Sequence, residues 1–275
     1  MSSSVYQHRM WLFVASCISL LTTSMIFAIR GDVSGALSAE FHLSAEMMGK
    51  IWAPAFLGFT FSIFVCGVAV DWLGMRVMHI LSSLGFLVGL TCILLAPAPS
   101  LAEGELVAGI FATPGTTLLY VGFLIMGIAQ GIVEGVINPL IATVYPDQKG
   151  KMLNILHAWW PGGMIIGGLL ALGLTQVGAS WQLKMGSIAI PSIIYLVLCV
   201  MRPYPQTERV AASVSFGDMV KGTFKPHYPT VPPSPAAQKQ SKPCLLRPSN
   251  SVPRLPPSEN APPQSPTSSA RKNFS

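Results

Sequence analysis

Six apolar runs, approximately 10–29, 51–70, 77–96, 117–145, 153–177 and 185–201, occupy most of the first 201 residues. A helix needs ~20 such residues to cross a bilayer. At that length and apolarity the runs predict membrane-spanning helices. The first continues past Arg30 towards Leu37, because apolar residues recur there at helical intervals. It is too long for a signal-peptide core, and Arg30 and Asp32 follow it in place of a small-residue cleavage site, so it stays as a membrane helix. Charged residues make up 10% of the chain and the mean hydropathy is +0.54, whereas soluble domains carry about 25% charged residues. The expected fold class is an all-α membrane protein with six transmembrane helices.

Charge placement gives organisation and orientation. The formal charge is +6, and most of it falls in 226–275, where Lys239, Lys242, Arg247, Arg254, Arg271 and Lys272 face one acid, Glu259. The excess therefore says little about the folded part, and no nucleic-acid partner is expected. That stretch holds 13 of the 23 prolines with much Ser and Gln, so it cannot bury enough surface to offset its ordering entropy. The expected domains are a six-helix transmembrane unit over 1–202, a cytoplasmic linker over 203–225, and a disordered Pro/Ser-rich tail over 226–275. P-x-x-P spacings at Pro229 to Pro232 and Pro253 to Pro256 either dock in an SH3-like groove or occur by chance in so proline-rich a tail. With both termini cytoplasmic, the inner segments hold Arg9, Arg76, Lys149, Lys151, Arg202 and Arg209, and the outer ones Arg30, Lys50 and Lys184, in agreement with the positive-inside rule. Cys17, Cys66, Cys92, Cys199 and Cys244 form no metal-ligand spacing and read as small apolar residues, so neither disulfide, metal nor cofactor is expected.

Glu134 is the residue that asks for a function. It lies inside the fourth run, and with Gln130 and Asn138 it recurs every four residues, so three polar groups share one face of an apolar helix. An ionisable residue at that depth is either a functional site or glue between helices. Desolvation favours the neutral form of a carboxylate and wetting the charged form. An acid exposed alternately can therefore carry a proton. Asn154, His157 and Pro161 share a face of the fifth helix, and His157 reads as a lone intramembrane histidine. Asn and His offer directional hydrogen bonds to a polyhydroxyl ligand, and Trp159 or Trp160 either stack on its apolar ring face or form an interfacial belt. Gly127, Gly131 and Gly135, with Gly163 and Gly167, set out a small-xxx-small ladder that suits close helix packing. Pro139, Pro161 and Pro191 are expected to kink their helices. Arg30 either pairs with an acid of another helix or snorkels to the outer interface.

Two motifs carry a family resemblance. Gly67, Asp71, Gly74 and Arg76, between the second and third runs, resemble the cytoplasmic loop signature of the major facilitator superfamily, G-x-x-x-D-x-x-G-x-R. Here Gly67 would allow close helix approach, Gly74 the tight turn, and Asp71 a cap on helix N–H groups. Trp72 and Met75 stand where further basic residues are usual. Glu134 with Asn138 and Pro139, then Leu153, Asn154 and His157, and the Phe41 to Ser44 stretch, look like the fucose permease branch of proton-coupled sugar symporters. The resemblance covers roughly 10–201, the N-terminal six-helix half of a twelve-helix transporter. It implies a monosaccharide and protons as solutes, a plasma (inner) membrane location, Glu134 as the proton-coupling carboxylate with Asp32 as a second, and Gln130, Asn138, Asn154, His157, Trp159 and Trp160 as sugar contacts.

Other classes weigh less. Gly178 to Trp181 lacks the second glycine of a G-x-S-G protease motif, and no H-E-x-x-H occurs, so an enzyme is not expected. A non-transporting membrane remnant or scaffold is a serious alternative, because one half alone does not enclose a site between halves. Residues 213–225 resemble a linker leading to a seventh helix, yet a proline-rich coil follows, which is the pattern of a truncated or frameshifted product. Alternatively, a second copy or a separate C-terminal half completes the pathway.

Overall fold

The computed structural model describes residues 8–102, 104–213 and 217. The tail expected over 226–275 and part of the linker lie outside the described residues. Helices account for nearly all the regular structure: α1 (Arg9–Glu40), α2 (Ala45–Leu73), α3 (Met75–Leu94), α4 (Pro114–Val144), α5 (Lys149–His157), α6 (Trp159–Gln176), α7 (Trp181–Gly186), α8 (Ala189–Met201) and α9 (Glu208–Ala211). Six stretches are long and apolar enough to cross a membrane: α1, α2, α3 and α4 singly, then Pro146–Gln176 and Trp181–Met201 as composite segments. The chain is thus an all-α, multi-pass membrane protein.

Prolines explain why the last two spans are composite. A proline ring collides with the carbonyl four residues back. For Pro161 that residue is His157, where α5 ends, and for Pro191 it is Ser187, between α7 and α8. Pro139 behaves differently, since α4 continues through it unbroken. Helix starts follow the capping rules. Ser44, Thr113, Ser180 and Thr207 each accept an N–H from three residues ahead through their side-chain oxygen. Gly74, at φ 82°, turns the chain between α2 and α3 in a conformation that other residues rarely adopt.

The glycine ladder packs helices as expected. A Cβ on Gly127 or Gly131 would collide with the backbone of Ala55 or with Ser62 of α2, and one on Gly135 would stand 2.5 Å from the Cys66 Sγ. Gly163 and Gly167 do the same for α6 against α1, meeting Ser24 and, at 2.9 Å, the Met25 Cα. Gly67 departs from its expected role. Among the described residues nothing lies close enough to meet a Cβ there, because the residue faces a groove shared with Asp71, Gly135 and Pro139. On α1, Ser16, Ser19, Thr22, Thr23 and Ser24 are fully buried. Their hydroxyls donate to carbonyls one turn back, which satisfies them without another helix.

Candidate functional site

Glu134 lies 10 residues from the end of α4, or ~15 Å along the axis at the helical rise. It is half-buried. Asn138, one turn on, donates its Nδ2 to the Glu134 carbonyl at 2.9 Å and to Glu134 Oε2 at 3.5 Å. The Asn138 Oδ1 lies 2.9 Å from His157 Nε2, at the C-terminal end of α5. An amide that gives its N–H to Glu134 and its oxygen to His157 requires His157 to donate from Nε2. The result is a line of three side chains, carboxylate, amide and imidazole, across two helices. The carboxylate contact is long, so Glu134 retains acceptor capacity for a solute hydroxyl or a proton.

The other expected contacts divide into those near this line and those used elsewhere. Gln130 is 1% exposed and its Nε2 donates to the Thr23 carbonyl of α1 at 3.3 Å, so it ties two helices together. Asn154 is exposed at the α5 surface. Trp159 and Trp160, adjacent in sequence, diverge. Trp159 lines an apolar groove with Phe13, Cys17 and Leu21 of α1, whereas Trp160 tilts against Phe27 at a centroid distance of 5.5 Å. Asp32 does not join Glu134. Its Oδ2 accepts from Lys184 Nζ at 2.6 Å and its Oδ1 from Thr175 Oγ1 at 3.4 Å, while Lys184 also donates to Thr175 Oγ1 at 2.7 Å. These contacts join α1, α6 and α7. Lys184 is 8% exposed, which placing it in an outer loop did not foresee. Opposite charges at the corresponding ends of two apolar runs were the available signal.

Arg30 takes neither of its expected arrangements. It is 4% exposed, and its guanidinium carbon lies 4.9 Å from the Phe27 ring centroid, 4.9 Å from Phe56 and 5.5 Å from Trp52. Each cation–π contact is worth ~0.5–2 kcal/mol, while burying an ion costs several kcal/mol in effective terms.

His157 is not the lone intramembrane histidine. His79, on α3, is fully buried, with Nδ1 3.0 Å from the Tyr204 hydroxyl and Nε2 unpartnered. Around it run Ser82 to Tyr195 at 3.2 Å and Ser83 to the Ser192 carbonyl at 2.8 Å. Burial pushes the Tyr204 phenol above its ordinary range.

The loop motif acts as a tie. Arg76 donates through Nε to the Cys199 carbonyl at 3.3 Å and through Nη2 to Val200, caring for the last carbonyls of α8. Asp71 accepts from the Thr207 hydroxyl, which itself caps α9. The carboxylate therefore supports a helix N-terminus through its capping residue.

The sequence pattern of the Major Facilitator Superfamily matches residues 11–258. Monosaccharide-sensing protein 2 of Arabidopsis thaliana is 28% identical over 178 residues, 62% of this chain and 22% of that protein. The hexuronate transporter of Bacillus subtilis is 24% identical over 223 residues, covering 78% of this chain and 48% of that one. Among solved structures, the proton:xylose symporter XylE bound to 6-bromo-6-deoxy-D-glucose superposes with a TM-score of 0.63 at 16% identity, over 78% of this chain and 49% of XylE. The chain thus spans half or less of the length of these relatives. With six spanning helices, the loop motif in the second-to-third connection and a family match across most of its length, this chain belongs to the major facilitator superfamily.

Proposed function

We propose that the chain is the solute- and proton-handling half of a transporter that moves a sugar or a similar small polar solute with protons. The observation that carries this reading is the line from Glu134 through Asn138 to His157, a partly exposed carboxylate set at depth and joined to an imidazole by one amide. Relatives named for monosaccharide sensing, hexuronate transport and proton:xylose symport support the solute class. Glu134 exchanges the coupling proton, and Asn138, His157 and the exposed Asn154 supply hydrogen bonds to solute hydroxyls. Gln130 positions α4 against α1, Trp160 packs behind the site, and Asp32 ties the opposite end of the bundle through Lys184.

The narrower assignment, to fucose, galactose or glucose symport, rests on the Glu134, Asn138, Pro139, Asn154 and His157 pattern. Both termini face the cytoplasm in the plasma membrane, following the loop charges. A second copy or a C-terminal half faces Glu134 to complete the pathway. One competing reading is a non-transporting membrane scaffold.

Uptake of labelled hexoses and pentoses into proteoliposomes under an inward proton gradient separates these. Gradient-driven accumulation by the unmodified chain, lost in Glu134→Gln while equilibrium exchange persists, is the expected result. Absence of uptake under any gradient favours the scaffold, and equal accumulation by the Gln variant removes Glu134 from coupling.

A further inference from the structure

Arg30 is a buried cation with no acceptor among the described residues. Its side chain is 4% exposed, yet among the described residues it has no ion pair and no side-chain hydrogen bond. The three rings around it, Phe27, Trp52 and Phe56, offer π-faces to the charge but nothing to receive its five N–H donors. The nearest acids in the sequence are committed elsewhere. Asp32 is held by Lys184 and Thr175, and Glu40 accepts from Trp181 Nε1 at 2.6 Å and Gln182 Nε2 at 3.3 Å.

A second donor beside the guanidinium is unsatisfied too. The indole nitrogen of Trp52 is buried with no hydrogen-bond partner, in a ring whose centroid lies 5.5 Å from the guanidinium carbon. Arg76, a cation of the same bundle, behaves otherwise, since two backbone carbonyls receive it. The local deficit is therefore of acceptors, not of donors. Phe27 continues the aromatic surface to Trp160 on α6, and one turn before Phe27 on α1 comes Thr23, whose carbonyl is bonded by Gln130 of α4. Arg30 accordingly stands on the same α1 helix that packs against the Glu134 helix.

We propose that Arg30, with the Trp52 indole N–H, is the binding subsite for the carboxylate of an acidic solute, so that the preferred solute is a sugar acid and not a neutral sugar. This rests on the transporter reading above and narrows its solute class. A guanidinium matches a carboxylate through two parallel N–H···O bonds, and an indole N–H can serve a remaining lone pair. The flanking rings suit the apolar face of a pyranose. Phe56, 51% exposed and 4.9 Å from the charge, is the cover that must turn aside to admit the solute. A carboxylate from a protein partner would satisfy the cation but has no use for the aromatic surface.

The test is solute binding to the purified full chain, measured by calorimetry and by thermal shift, with glucuronate, glucose and acetate as probes. Glucuronate is expected to bind about tenfold or more tightly than glucose, the advantage of one charge-assisted bidentate pair. Arg30→Gln is expected to abolish that preference while leaving glucose binding in place. Arg30→Lys keeps the charge without the fork and should retain part of it, and Trp52→Phe should narrow the preference for glucuronate over glucose several-fold. These two variants decide the matter where the Gln variant does not fold. A preference for glucuronate that survives in Arg30→Gln, or no preference in the unmodified chain, overturns the subsite and leaves the sugar reading standing. Acetate binding as tightly as glucuronate overturns the sugar-acid assignment, and failure of both sugars to bind overturns this inference together with the transporter reading.

Discussion

Two polar clusters interrupt the apolar bundle, and they are built from similar side chains. Between α3 and α8 lie His79, Ser82, Ser83, Ser192, Tyr195 and, just beyond, Tyr204; between α4 and α5 lie Glu134, Asn138 and His157. In the first, His79, Ser82, Ser83, Ser192 and Tyr195 are all 0% exposed and most hydroxyls have near-ideal partners. In the second, His157 is exposed, Glu134 is half-buried and its carboxylate contact stretches to 3.5 Å. Polar groups that are buried and paired rigidify a bundle. Those that are accessible and under-paired have capacity left for a ligand. Residue type does not separate the two roles, and neither does pairing alone, since His79 Nε2 is unpartnered in the buried cluster; access does.

The contrast breaks or sharpens under substitution. The largest effect belongs to the buried cluster: Tyr195→Ala removes a fully buried ring as well as its hydroxyl, and an aromatic truncation of that kind costs ~3–5 kcal/mol. A large fall in thermal midpoint in detergent is expected, and its absence would show that the α3–α8 contact is loose. Tyr204→Phe is milder, at ~1–3 kcal/mol, because it leaves His79 without a partner on either ring nitrogen. That residue also sets an alkaline limit. Its raised phenol pKa means the folded chain holds the proton where the unfolded chain releases it, so this contribution is complete below about pH 10 and lost as pH rises beyond. A shallower fall of stability above that pH in Tyr204→Phe than in the unmodified chain is the check.

The α4–α5 cluster should respond in the opposite sense. His157→Gln is expected to change stability by less than ~0.5 kcal/mol, as for other exposed positions, while lowering solute affinity about tenfold, which corresponds to ~1.4 kcal/mol. Equal affinity with a lower thermal midpoint would move His157 to the structural side. The smallest effect is reserved for a pair outside both clusters. Lys149 and Glu208 form an exposed bridge, and Glu208→Gln should cost no more than ~1 kcal/mol in stability. A larger loss would show that α9 is held mainly through that pair and less through Thr207 and Asp71.

Much of the fold was legible because its signals are local. Run length and continuous apolarity specify spanning helices, Ser and Thr caps fix their starts, and the clash of a proline with the carbonyl four residues back fixes where α5 and α7 stop. The i, i+4 spacing of Glu134 and Asn138 was equally readable, since one helix determines it. Their link to His157 is a contact between helices, which spacing supports but does not establish. Gln130 shows the limit: the same spacing put it on the stripe, yet it bonds the Thr23 carbonyl of α1. Trp159 and Trp160 show it again, because adjacent residues point about 100° apart on a helix and their surroundings then differ.

The amino-acid sequence by itself therefore determined an all-α membrane protein of six spans, the glycine face of α4, the turn at Gly74 and the depth of Glu134, all consequences of transfer energy and helical periodicity along one chain. Tertiary structure decided which charges are spent. Asp32 is held by Lys184 across 152 positions of sequence, Glu40 by Trp181 across 141, and Arg30 stands among rings with no acceptor among the described residues. Pairing depends on distances of a few ångströms between separate helices, and in a low-dielectric interior those distances decide whether a charge is tied down or left for a ligand.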